Sequence, residues 1–159
     1  MNNLGLLLFT ALMIVSCNRT TIQDSDSKQE KASVTNAVSE TTRDGVFIHI
    51  TESYEDPHRV LMPLKMATMM AKDKDVLVYM DIHAVELLVK DAKDLNFADF
   101  ESAQTYIQQL AAMKVGVYAC PTCLKIAGFK PEDLMDGVEV AQKEKFFNFT
   151  EGKIISLDY

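Results

Sequence analysis

The chain has 159 residues, 48% of them hydrophobic and 25% charged, with a formal net charge of -7 and three cysteines. That length fits one domain plus an appendage, and the composition excludes disorder over the whole chain. The acidic balance excludes a nucleic-acid partner, which needs a basic surface to neutralise phosphates, and three cysteines are too few for a disulfide scaffold.

Residues Leu4 to Val15 form a nearly unbroken apolar run. It is shorter than the roughly 20 residues that span a bilayer, and it suits the apolar core of an export signal. The run ends at Ile14-Val15-Ser16-Cys17, which resembles a bacterial lipobox. The resemblance implies a signal peptide over 1–16 and Cys17 as a lipidated first mature residue. This places the protein in the cell envelope, exported and lipid-anchored, on the periplasmic or outer-surface side. From Cys17 to Asp44 the sequence is polar, with no sustained hydrophobic period, and reads as a flexible tether. Arg19, Lys28, Lys31 and Arg43 offset all but one of Asp24, Asp26, Glu30, Glu40 and Asp44, so nearly all of the net negative charge belongs to the remainder.

Residues 45–159 alternate strand and helix patterns. Val46 to Ile50 is a β-branched run and predicts a buried strand. Asp56-Pro57 reads as N-cap and first residue of a helix reaching Lys72, with Val60, Leu61, Leu64, Ala67 and Ala71 inward. Pro63 should kink that helix or delay its regular start. Asp75 to Met80 is a second strand, Ala84 to Val89 a short helix, and Asp99 to Met113 a longer one with Phe100, Ala103, Ile107, Leu110 and Ala111 inward. Val115 to Ala119 predicts a third strand, Pro121 to Ala127 a helix closed by Gly128, and Val138 to Val140 a short fourth strand. A helix over Ala141 to Asn148 and a strand over Ile154 to Leu157 complete the chain. Continuous apolar strands alternating with helices predict an α/β fold: a three-layer α/β/α arrangement around a mostly parallel five-stranded sheet. Ligands bind such sheets beyond the carboxyl ends of the strands, which selects Thr51 to Asp56, Asp81 to His83 and Ala119 to Cys123. None carries a glycine-rich phosphate loop, so no nucleotide cofactor is expected.

Cys120-Pro121-Thr122-Cys123 lies where the third strand passes into a helix. With Cys120 as N-cap and Pro121 as first helical residue, the sulfur faces the free amides of Thr122 and Cys123. Those donors, with the helix dipole, favour an anion, so Cys120 is expected to be substantially thiolate at neutral pH. Cys123, one turn on, is near enough to resolve a bond formed at Cys120 or to act as a second ligand. Asp81 and His83, after the second strand, are candidate ligand-binding residues together with Thr122. His49 is read as a buried, paired strand residue, and His58 as a structural or exposed one. Met62, Met66, Met69 and Met70 share a helix and are read as core filler. No metal site is expected, because a lone Cys-x-x-Cys lacks a second pair of ligands.

A thioredoxin reading fails on element order, since the motif comes late and the only later proline, Pro131, is in a loop. The domain instead resembles the DsrE/DsrF-like family, which includes the Tus sulfur-relay proteins. The resemblance rests on Asp56-Pro57-His58-Arg59 after the first strand, the Met-rich helix, Val76 to Asp81, Gly116-Val117-Tyr118-Ala119-Cys120-Pro121-Thr122-Cys123-Leu124-Lys125 with Gly128 beyond, and Asp133-Leu134-Met135-Asp136-Gly137-Val138. It implies a homo-oligomer, trimer or hexamer, and a persulfide carried on Cys120, with Cys123 matching a second cysteine of some branches. The expected activity is therefore sulfur binding or transfer, or thiol exchange, with a donor and acceptor that the sequence does not name. The alternative is a non-catalytic homo-oligomeric module that binds a soft metal or small ligand through the same cysteines. An exported domain cannot serve tRNA, so the fold and the reactive cysteine carry over better than the substrate does.

Overall fold

The computed structural model describes residues 42–159, so the expected signal, Cys17 and most of the tether lie outside the described residues. Five strands form one sheet: β1 (Gly45–Ile50), β2 (Asp75–Met80), β3 (Gly116–Ala119), β4 (Val138–Val140) and β5 (Ile154–Asp158). Their order is β4-β3-β2-β1-β5, and every pairing is parallel. The helices are α1 (Pro57–Met70), α2 (Ala103–Ala112), α3 (Pro121–Ile126) and α4 (Lys143–Phe147). The chain steps from β1 to β4 in one direction, and right-handed crossovers put α1 and α2 on one face. The return from β4 to β5 passes back over the sheet and puts α4 on the other face, where Phe146 packs edge-on against Phe47 of β1 and Tyr79 of β2. The sheet is thus covered on both faces, heavily by α1 and α2 and thinly by α4.

Strand alternation sorts the side chains. Val46, Ile48, Ile50, Val76, Val78, Met80, Val117 and Ala119 enter the main core beneath α1 and α2, with Leu61, Leu64, Ile107 and Leu110 opposite. On the α4 face the strand registers line up one row: Glu139, Tyr118, Tyr79, His49 and Asp158.

Local boundaries differ from the sequence reading where a stronger cap intervenes. The Asp56 carboxylate accepts from the Arg59 amide and starts α1 at Pro57, as expected. Pro63 neither delays nor splits α1. The carbonyl it leaves without a partner is that of Arg59, an exposed residue whose backbone water can serve. The second long helix begins at Ala103 and not at Asp99, because Ser102 caps it through the Thr105 amide at 3.2 Å. Phe100 therefore precedes the helix and packs on the core from a loop. Ala84–Leu88 is a 3₁₀ helix, and Val89 leaves it to form an antiparallel bridge with Leu134.

Candidate functional site

The carboxyl ends of β1, β2 and β3 meet the start of α3. The Cys120 amide donates to the Met80 carbonyl at 3.0 Å, which fixes the end of β3 beside β2. Cys120 is the N-cap of α3, and its Sγ accepts from the Cys123 amide at 3.5 Å. Burial pushes the Cys120 thiol up, but the Tyr79 hydroxyl, the Cys123 amide and thiol, and the Thr122 amide outweigh it and hold the thiol below its ordinary value. These directed donors carry the effect, because a helix of six residues has little macrodipole. Its far end closes on Gly128 at φ +83°, where the Gly128 and Phe129 amides cap the Lys125 and Leu124 carbonyls.

Cys123 is the opposite case. Burial raises its thiol, and an ionised Cys120 and Asp81 raise it further. The Ile82 amide acts in the other direction and lowers it. Ile82 sits at φ +46°, a conformation a β-branched residue rarely adopts, and the amides of its neighbours Asp81 and His83 are committed to the Ile50 and Thr51 carbonyls. Both cysteines are free thiols and partly buried.

The other predicted residues divide. Thr122 contributes through its backbone, and its side chain is exposed. His83 lies at the expected edge, exposed, with its backbone amide on the Thr51 carbonyl and no side-chain hydrogen bond among the described residues. Asp81 turns towards His49 instead. His49 Nε2 stands 3.0 Å from Asp81 Oδ1, and His49 Nδ1 hydrogen-bonds Asp158 Oδ1 at 3.1 Å. The first contact is at ion-pair distance but off the line a hydrogen bond needs, so both buried atoms lack an aligned partner. His49 is paired, as expected, but at the site and not in the core. The sequence reading missed two contributors, Tyr79 and His49. Their rings lie 5.5 Å apart as register partners across β1 and β2. Alternation in both strands was the available signal, and it needed the register to become a pair.

Among the described residues no group of three or more His, Cys, Asp or Glu side chains is placed to hold a metal ion. The family model of the DsrE/DsrF-like family matches residues 44–151. The chain belongs to the DsrE/DsrF-like family. Solved structures of similar fold include the YchN protein of E. coli, at 18% identity and a TM-score of 0.56, covering 74% of this chain and 100% of that one. A protein of unknown function from Methanobacterium thermoautotrophicum, MTH1491, matches at 21% identity and a TM-score of 0.53, over 71% of this chain and 98% of that one. At these identities the likeness carries the fold alone. No curated protein matches at comparable significance. As a DsrE-like domain, the chain sits in a family generally related to sulfur relay, with its own Cys120 at the end of β3 and at the start of α3.

Proposed function

We propose that this DsrE-like protein handles sulfur through Cys120. Its thiolate attacks the sulfane sulfur of a persulfide, or one sulfur of a disulfide. A new S–S bond forms on Cys120 and the donor leaves as a thiolate. Cys123 is the resolving thiol. The observation that carries this reading is the placement of Cys120 as N-cap of α3, with its Sγ accepting from the Cys123 amide at 3.5 Å; the Tyr79 hydroxyl and the Thr122 amide also favour its thiolate. Such an arrangement favours the nucleophilic form of a thiol.

The test is alkylation of Cys120 against pH in the Cys123→Ser variant. The apparent pKa is expected below the free-thiol value of about 8.5, and a value at or above it refutes the activated thiolate. Exposure to polysulfide is expected to add the mass of one sulfur at Cys120. Two further parts of the reading come from the sequence: lipid attachment at Cys17 in the cell envelope, and assembly as a homo-oligomer. Cys17→Ser is expected to move the protein from the membrane fraction to the soluble one. Unchanged partition refutes the anchor.

A further inference from the structure

We propose that the cavity at the amino end of the sheet binds the phosphate group of an organic phosphate ester, with Lys114 and the Tyr118 hydroxyl as its principal ligands. The site is separate from the sulfur chemistry of Cys120. It opens where β2 and β3 begin, at Asp75 and Gly116, and Cys120 lies beyond the far end of β3. Four steps of extended chain set Gly116 about 13 Å from Cys120.

The cavity has a volume of about 400 Å³, and its lining runs against the charge of the molecule. The chain carries a net -7, yet Arg43, Lys74, Lys114 and Lys145 line the cavity with Asp75 as the one carboxylate among the described residues. Arg43 is fixed in place. Its Nη2 donates to the Ala71 and Lys74 carbonyls at 3.2 and 2.6 Å, and its Nε stands 3.6 Å from Asp75 Oδ1, which offsets that carboxylate. Lys74 pairs with Asp73 and Lys145 with Glu139, and neither carboxylate lines the cavity. Exposed pairs of this kind are weak, so both ammoniums are available to a stronger anion. Lys114 follows α2, is exposed, and has no side-chain partner among the described residues.

An independent observation is a buried donor with nothing to donate to. Tyr118 is only 9% exposed, and its hydroxyl has no hydrogen-bond partner among the described residues. That hydroxyl lies over Gly116, where a Cβ would come within 2.9 Å of it, and both residues line the cavity. Burial pushes the phenol above its ordinary value, so it stays a donor at neutral pH. A buried hydroxyl without an acceptor costs stability, and an anion in the cavity supplies the acceptor.

The donor set selects the ligand. Three ammoniums, a guanidinium and a phenol offer more donors than one carboxylate accepts, and they suit a phosphate, whose oxygens each accept several. Inorganic phosphate fills only part of the volume. Met113, Val115 and Phe149 supply apolar wall for the organic part of an ester. A lipid headgroup and a soluble ester share this chemistry, and the cavity adjoins the point where the chain enters β1 through Arg43.

The test uses the full chain carrying Cys17→Ser, so that no lipid anchor acts. It is titrated calorimetrically with glycerol 1-phosphate and with inorganic phosphate, and sedimented with vesicles of phosphatidylglycerol or of phosphatidylcholine. Saturable binding of the phosphate ester is expected, as soluble compound or as vesicle. Lys114→Ala is expected to weaken it about tenfold and Tyr118→Phe about fivefold. Lys93→Ala removes the same charge from an exposed position outside the cavity, and is expected to change it by less than about twofold. Lys114 is exposed and Tyr118→Phe keeps the ring over Gly116, so both variants should fold, which circular dichroism checks. Retention on phosphatidylglycerol but not phosphatidylcholine, weakened in the same order, assigns the site to a headgroup. Binding of glycerol 1-phosphate without retention on vesicles assigns it to a soluble ester. Failure to bind either one overturns the proposal. So does equal weakening in Lys114→Ala and Lys93→Ala, which marks diffuse charge, or binding that neither Lys114→Ala nor Tyr118→Phe alters. Inorganic phosphate bound as tightly as the ester overturns the assignment of the apolar wall.

Discussion

Removing one oxygen from Tyr79 takes a donor from the Cys120 sulfur and leaves the ring on Phe146 and His49. A hydrogen bond to a charged group contributes about 1.5–3 kcal/mol, so Tyr79→Phe is expected to raise the apparent pKa of Cys120 by about one unit. The alkylation profile against pH checks this, and an unmoved midpoint refutes the role given to Tyr79. The sign also fixes a stability effect. A depressed thiol pKa contributes stability above the unfolded thiol's value, and that contribution is lost as pH falls through the folded value. Cys123, shifted upward, works against it. Cys120 was legible in the sequence because Pro121 after a β-branched strand marks an N-cap. Tyr79 and His49 were not, because their meeting depends on the β1–β2 register, which no local pattern encodes. Asp81 was legible as a strand-end residue but was grouped with His83. The chain turns at Ile82 and sends the two side chains to different surroundings.

The elements were read well where apolar runs were long, and poorly where two caps competed. Asp99 and Ser102 both suit an N-cap, and Ser102 wins because its hydroxyl reaches the Thr105 amide. The C-terminal signal of α3 was unambiguous and offers a clean test. A Cβ built on Gly128 meets nothing within 4 Å, so only the backbone at φ +83° opposes a side chain. Gly128→Ala is therefore expected to destabilise by about 1 kcal/mol, lowering the thermal midpoint by about 4 °C. Gly137 has a similar φ of +85°, but its Cβ would lie 2.5 Å from that of Ala111, so Gly137→Ala is expected to cost more. Thermal unfolding followed by circular dichroism ranks the two, and equal midpoints would refute the distinction between torsion and collision.

Across the whole molecule the sheet is parallel, yet its β5 edge and the α4 face carry exposed apolar side chains: Ile154 at 51%, Ile155 at 61% and Phe147 at 65%. Parallel sheets ordinarily have both faces covered. This suits the proposed homo-oligomer, with a second copy as the cover. Ile155→Glu is expected to shift the sedimentation coefficient from an assembled species to a monomer. An exposed site changes stability by less than about 0.5 kcal/mol, so the monomer should stay folded. A chain that sediments as a monomer before substitution refutes the assembly.

The cap on Cys120 also bears on the redox poise of the pair. Donors that favour its thiolate stabilise the reduced dithiol and do nothing comparable for a Cys120–Cys123 disulfide. Each tenfold preference for the reduced state raises a two-electron potential by about 30 mV, which makes the closed disulfide the more oxidising partner. A pair biased this way, held outside the reducing cytoplasm by the proposed anchor, would pass oxidation on readily and return to the thiolate from which the next sulfur is taken.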